Sequence, residues 1–176
     1  MNDNRFQQKY RVDSARLAGY DYGSNGAYFI TVCTRNRENY FGEIDENAAL
    51  ITTAAAQIVV DCWQAIPTHF PFVVLNAFVL MPNHLHGILF FDKPDYNDGQ
   101  PNQFGPQIDN LAAVVRGFKA GVTKQTRTQQ IDFGWQPRYH DRVVRNDDEL
   151  NRIRTYIDNN PSQWQQDRDN PENLYM

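Results

Sequence analysis

Cysteine is scarce in this chain, two in 176 residues, and their spacing does not pair them. Neither Cys33 nor Cys62 has a Cys-x-x-Cys neighbour, which leaves a disulfide framework or a thiolate zinc site with little support. Both are expected to be buried free thiols. Long apolar runs are missing too: none approaches the roughly 20 residues that a membrane-spanning helix needs. The polar opening "MNDNRFQQKYR" lacks the apolar centre of a signal peptide. A soluble protein of the cytoplasm is therefore expected. Positive charge is not in excess either, because 17 Lys and Arg against 21 Asp and Glu leave a net charge of −4. That argues against a generally basic, nucleic-acid-coating surface, although local patches survive an acidic average. No P-loop, internal repeat or low-complexity tract interrupts the chain.

What is present suits one domain, since 41% hydrophobic and 13% aromatic residues can fill a single core. Residues 27 to 36, "AYFITVCTRN", follow the turn signal "GSNG" and read as a strand. Residues 50 to 66 are long, Ala-rich and stopped by Pro67, which predicts a helix. "FVVLNAFVLM" and "HLHGILFF" read as an antiparallel hairpin turning at "PN", and residues 92 to 108 as a loop. A second helix is marked by Leu111, Val114, Val115, Phe118 and Val122 at helical spacing. Arg116, Lys119, Lys124 and Arg127 occupy its other sides, as a solvated face or as phosphate contacts. "RYHDRVVR" reads as a basic fourth strand. Asn146 and Glu149 then resemble a capping box that opens a helix striped by Leu150, Ile153 and Ile157, which Pro161 is expected to end near Asn160. Strands and helices mixed in this order predict an α+β sandwich, an antiparallel sheet with helices packed on it.

One stretch carries chemistry. In "VLMPNHLHGILFF" a strand would turn His84 and His86 to one face and Leu85 to the other. Two imidazoles aimed at one point form part of a coordination sphere, or are simply two hydrogen-bonded sheet histidines. An active metal needs a further protein ligand and open positions. Tyr156 and Asn160, four residues apart on one helical face, offer a carboxamide ligand and a nucleophilic hydroxyl. Such a set suits octahedral Mg²⁺ or Mn²⁺ better than closed tetrahedral zinc. The plain alternatives are a tyrosine packed at a helix edge and an Asn-Pro helix end.

Several of these segments together resemble the REP-associated tyrosine transposases, within the single-tyrosine HUH transposase superfamily. "MPNHLHGIL" is similar to their histidine-hydrophobic-histidine signature, and "RYHDRVVRNDDELNRIRTYIDNNPSQW" to their block ending in a tyrosine helix and Asn-Pro. With "SARLAGYDYGSNGAYFITVCTRNRENYFGEI" and "AVVRGFKAGVTK", the resemblance spans about residues 14 to 164 in the family's order. It implies a single HUH domain over 1–176 with loosely held ends, built as a ferredoxin-like or RRM-like sandwich. It also implies that Tyr156 attacks a phosphodiester of single-stranded DNA, leaving a 5′-phosphotyrosine and a free 3′-hydroxyl. By the same resemblance His84, His86 and Asn160 hold the divalent cation, and the substrates are DNA hairpins of repetitive extragenic palindromes.

Arg116, Lys119, Lys124, Arg138, Arg142 and Arg145 are the candidates for DNA contact. Tyr139, beside His140 in a basic segment, is the rival nucleophile, but it falls on the strand before the catalytic helix and is kept as a structural or DNA-facing residue. Two other functions compete: a non-catalytic hairpin-binding protein on the same scaffold, and a metal-dependent phosphoester hydrolase that would not need Tyr156. Both a monomer and a homodimer are compatible with the resemblance.

Overall fold

The computed structural model describes residues 19–94 and 108–168. Most of the expected 92–108 loop, and the chain ends expected to be loosely held, lie outside them. The first strand, β1 (Gly26–Cys33), follows a turn in which the Asp21 carboxylate accepts from Gly23 N (2.8 Å) and the Asp21 carbonyl from Ser24 N (3.0 Å). After it come a small hairpin, β2 (Gly42–Ile44) with β3 (Leu50–Thr52), helix α1 (Ala54–Gln64) and the short helix α2 (Ile66–His69). The hairpin β4 (Val73–Met81) and β5 (His84–Phe91) leads to helix α3 (Leu111–Thr128), strand β6 (His140–Val144) and helix α4 (Asp147–Arg168).

Four strands form one sheet in the order β4-β5-β1-β6, every neighbour antiparallel. Helices follow the first and third of these strands, so the frame is β-α-β-β-α-β in the ferredoxin-like order, with β5 and β1 central. Strand alternation then sorts side chains into two layers. On one face Tyr28, Ile30, Val32, Leu85 and Leu89 join Ile58, Val59 and Trp63 of α1 and Leu111, Val114, Phe118 and Val122 of α3 in the larger core. On the other, Ala27, Phe29 and Ile88 meet Leu150, Ile153 and Ile157 of α4.

Local chemistry explains the helices that hold these layers. Thr53 caps α1 by accepting from Ala56 N (3.2 Å), and Asn110 caps α3 by accepting from Ala113 N (2.9 Å). The five apolar residues read as a stripe on α3 are all buried. Gly87 has a steric reason: a Cβ there would overlap the six-membered ring of Trp63, which comes close enough to β5 to need the bare backbone.

Three sequence expectations are corrected. Residues 50–52 are strand rather than the start of a helix, because Leu50, Ile51 and Thr52 pair with β2 and Thr53 starts α1. Gly42 makes that pairing possible, since its φ is +132° and a Cβ would collide with the Ile51 carbonyl. Pro67 does not end the helical region; it sits in the first turn of α2, where no amide hydrogen is required. Nor does Pro161 end α4, which runs on to Arg168. A proline forfeits one helical hydrogen bond, and the turn beyond it sets Trp164 against His84, ring centroids 5.9 Å apart.

Candidate functional site

The site begins with the alternation of β5. His84 and His86 share the α4 face, each 1% exposed, with ring centroids 4.7 Å apart. Burial pushes the His86 imidazole down to about 3 and holds His84 well below its usual range, with the nearby charges of His86 and Arg37 adding to the second shift. Both rings are therefore neutral near pH 7, and each keeps one nitrogen lone pair.

Neighbouring groups orient the rings. Thr31, across from His86 in the register, brings its Oγ1 to 2.8 Å from His86 Nδ1, and Phe29 stacks on the same ring at 5.4 Å. Asn83, the second residue of the hairpin turn, brings Oδ1 to 2.8 Å from His84 Nδ1.

Helix α4 covers this face because its start is fastened to β6. Asn146 Oδ1 accepts from Glu149 N (2.9 Å), while Glu149 accepts from Arg145 N (2.9 Å) and pairs with Arg142 Nε (2.6 Å). The backbone bond from Arg145, together with the Arg142 charge, holds the Glu149 carboxyl below its usual range. Glu149, Ile153, Tyr156, Asn160 and Trp164 then face the sheet at intervals of one turn, and all five are buried or half-buried.

Tyr156 is half-buried, its hydroxyl 3.2 Å from His86 Nε2 and its ring edge-on to Phe29. Asn160 is 1% exposed and lies one turn beyond Tyr156, between two residues whose rings meet the histidines. Among the described residues, His84 Nε2 and Asn160 Nδ2 are both buried without a hydrogen-bond partner. Orphaned buried polar atoms are costly unless a guest satisfies them.

Among the described residues, no group of three or more His, Cys, Asp and Glu is arranged to hold a metal ion. A cation here would therefore take the Asn160 carboxamide as its third protein ligand. The residues fit such a guest: two neutral imidazoles, a buried amide whose oxygen and nitrogen exchange places by rotation, and an unused lone pair. In the His86 tautomer that leaves Nε2 bare, that lone pair serves one partner at a time, so accepting from the Tyr156 hydroxyl and ligating a cation are alternatives.

The basic candidates divide between the layers. Arg142 pairs with Phe29 in the register and so lies on the α4 face, with the exposed Arg138 and Arg145 beyond either end of β6. Arg116, Lys119 and Lys124 belong to α3, on the opposite layer. Lys119 is half-buried and donates to the Gln136 carbonyl (2.6 Å), which ties the 129–137 segment to α3. Tyr139 packs against the larger core, away from the histidines. Cys33 and Cys62 are free and buried, as expected.

Sequence reading missed Thr31, Asn83, Phe29 and Trp164. Asn83 stood out only as a turn residue, and the others become neighbours of the histidines only through strand pairing or through the last turns of α4.

No helix among the described residues is long and apolar enough to cross a membrane. A structure described as a REP-associated tyrosine transposase bound to a REP hairpin shares this fold, with a TM-score of 0.57 and 22% identity over 88% of this chain and 73% of that one. No established family profile matches the sequence. An uncharacterized protein of Haemophilus influenzae is 38% identical over 164 residues, 88% of this chain and 91% of that protein. At that identity and coverage, the chain belongs to the same family as the Haemophilus influenzae protein.

Proposed function

We propose that this protein cuts and rejoins single-stranded DNA at hairpins through a tyrosine nucleophile, in the manner of the REP-associated tyrosine transposases. The observation that carries the reading is the 3.2 Å approach of the Tyr156 hydroxyl to His86 Nε2, beside the buried and unpaired His84 Nε2. Tyrosine next to a dry, neutral histidine pair is a costly arrangement for packing alone. The fold shared with a hairpin-bound transposase supports it.

In the cutting step the phenolic oxygen of Tyr156 attacks the scissile phosphorus and the bond to the 3′-oxygen breaks. The products are a 5′-phosphotyrosine and a free 3′-hydroxyl; the phenolic proton leaves and the departing oxygen gains one, so no co-reactant is consumed. The ester retains the bond energy, and a second 3′-hydroxyl reverses the step and joins strands. His84, His86 and Asn160 would hold a divalent cation, Mg²⁺ or Mn²⁺. When bound, such an ion supplies positive charge against the scissile phosphate as negative charge builds on it.

The rest falls to the chain's own residues. Phe29 and Ile157 exclude water from behind the tyrosine, and the Glu149 fastening sets the height of α4 above the histidines. Arg138, Arg142 and Arg145 offer phosphate contacts on the site's own edge, and Arg116 and Lys124 a second set on α3.

The test is a labelled single-stranded DNA hairpin incubated with protein and Mn²⁺ or Mg²⁺, then resolved under denaturing conditions. A covalent adduct with wild type and none with Tyr156→Phe is expected. An undiminished adduct with Tyr156→Phe would overturn the nucleophile, and phosphoester hydrolysis without any adduct would favour a hydrolase.

A further inference from the structure

Tautomer is undetermined for most buried histidines, but here one is dictated. The Asn83 side chain has two contacts: its Nδ2 lies 3.2 Å from the Arg37 carbonyl oxygen, and its Oδ1 lies 2.8 Å from His84 Nδ1. A carbonyl oxygen only accepts, so the amide atom facing Arg37 must be the NH₂ group. The oxygen is thereby turned to His84, and it too can only accept. His84 Nδ1 must then carry the proton, and the neutral ring keeps its lone pair on Nε2, the buried nitrogen with no partner among the described residues.

The turn around Asn83 is itself pinned. Its carbonyl accepts from the Thr34 amide at 2.9 Å and lies 2.9 Å from the Thr34 hydroxyl, whose one proton it shares with the Glu38 carbonyl at 2.8 Å, and these contacts tie the hairpin tip to the end of β1. No comparable constraint acts on His86. The Thr31 hydroxyl at its Nδ1 and the Tyr156 hydroxyl at its Nε2 can each donate or accept.

We propose that Asn83 is a positioning residue: held by the Arg37 carbonyl, it fixes His84 as the Nδ1–H tautomer and directs the bare Nε2 into the site. The tautomer assignment stands on hydrogen-bond geometry alone; its consequence for cation binding rests on the proposed function. Outer partners of this kind set ring orientation and ligand basicity at metal sites, and removing one typically costs about 10- to 100-fold in metal affinity. Asn83 has no positive φ, so a substitution there carries no backbone penalty.

The experiment is long-range ¹H–¹⁵N correlation of the histidine rings in the metal-free, full-length protein at neutral pH. In wild type, His84 should show a protonated Nδ1 and a bare Nε2. In Asn83→Ala the His84 pattern should shift toward the other tautomer or a mixture while the His86 resonances hold, which also reports that the site has folded. Asn83→Asp gives up the bond to the Arg37 carbonyl but still offers His84 Nδ1 an oxygen that can only accept, so Nδ1 should stay protonated. A protonated His84 Nε2 in wild type, or an unchanged pattern in Asn83→Ala, overturns the assignment.

Mn²⁺ titration of the same samples should find binding weakened by about 10- to 100-fold in Asn83→Ala and largely retained in Asn83→Asp. Equal Mn²⁺ affinity in wild type and Asn83→Ala overturns the positioning role. If wild type binds no Mn²⁺ yet shows the expected tautomer and its loss in Asn83→Ala, the Asn83 assignment holds and the cation falls from the proposed function instead.

Discussion

The two faces of the sheet are built to different ends from the same strands. Toward α1 and α3, strand β5 presents Leu85, Gly87 and Leu89 to a large, mainly apolar layer, with Trp63 pressed onto the glycine and stacked on Phe78 at 4.8 Å. Toward α4, the alternate residues of the same strand are His84, His86 and Ile88, and the apolar part of that layer is much smaller. The first face holds the larger apolar layer, whereas the second buries His84 Nε2 and Asn160 Nδ2 with no hydrogen-bond partner among the described residues. The difference teaches that the costly arrangement is affordable because the opposite face carries the folding free energy.

The comparison breaks first at Trp63. Trp63→Ala should cost about 3–5 kcal/mol by urea denaturation, since it empties the space above Gly87. A loss below about 1 kcal/mol would mean that the larger core does not dominate stability.

The polar face should answer to pH instead. Unfolded histidine binds its proton near 6.5, whereas folded His86 does so only near 3, so stability is full above 6.5 and falls as the pH drops between these values. At pH 5 that amounts to about 2 kcal/mol from His86 alone. Equilibrium unfolding followed from pH 7 to pH 5 should show this slope in wild type and a shallower one in His86→Gln.

A smaller effect is expected at the foot of α4. Glu149→Gln weakens the fastening to Arg142 and Arg145, with an expected loss of about 1 kcal/mol in thermal or urea unfolding. Because the folded carboxyl is held below its ordinary value of 4.5, its contribution is present above that pH and disappears below it. The difference between wild type and variant should therefore vanish in acid.

No effect on chemistry is expected from Tyr139→Phe, whose ring belongs to the α1 and α3 face. Hairpin adduct yield equal to wild type would sharpen the division between faces, whereas loss of the adduct would make Tyr139 the nucleophile after all.

Much of this was legible in the residues. The stripe on α3, the hairpin turning at Pro82 and Asn83, and the side-by-side histidines all follow from local periodicity. The near-capping box was legible as well, although Glu149 bonds to the Arg145 amide rather than to that of Asn146. Two local readings failed where pairing or packing overrode propensity: residues 50–52 joined a strand partner that no helical pattern reveals, and α4 continued past Pro161 to set Trp164 on His84. Of the site, His84, His86, Tyr156 and Asn160 were nameable in advance; Thr31, Asn83, Phe29 and Trp164 were not.

Repeat lengths of the backbone are local properties, so the sequence by itself determined that His84 and His86 share a face and that Tyr156 and Asn160 share another. Which faces meet was decided only in three dimensions. Thr31 and His86 lie 55 residues apart and Tyr156 and His86 lie 70 apart. Bringing them together required the antiparallel register of β1 on β5, and a second packing layer on which α4 could bury Ile153 and Ile157.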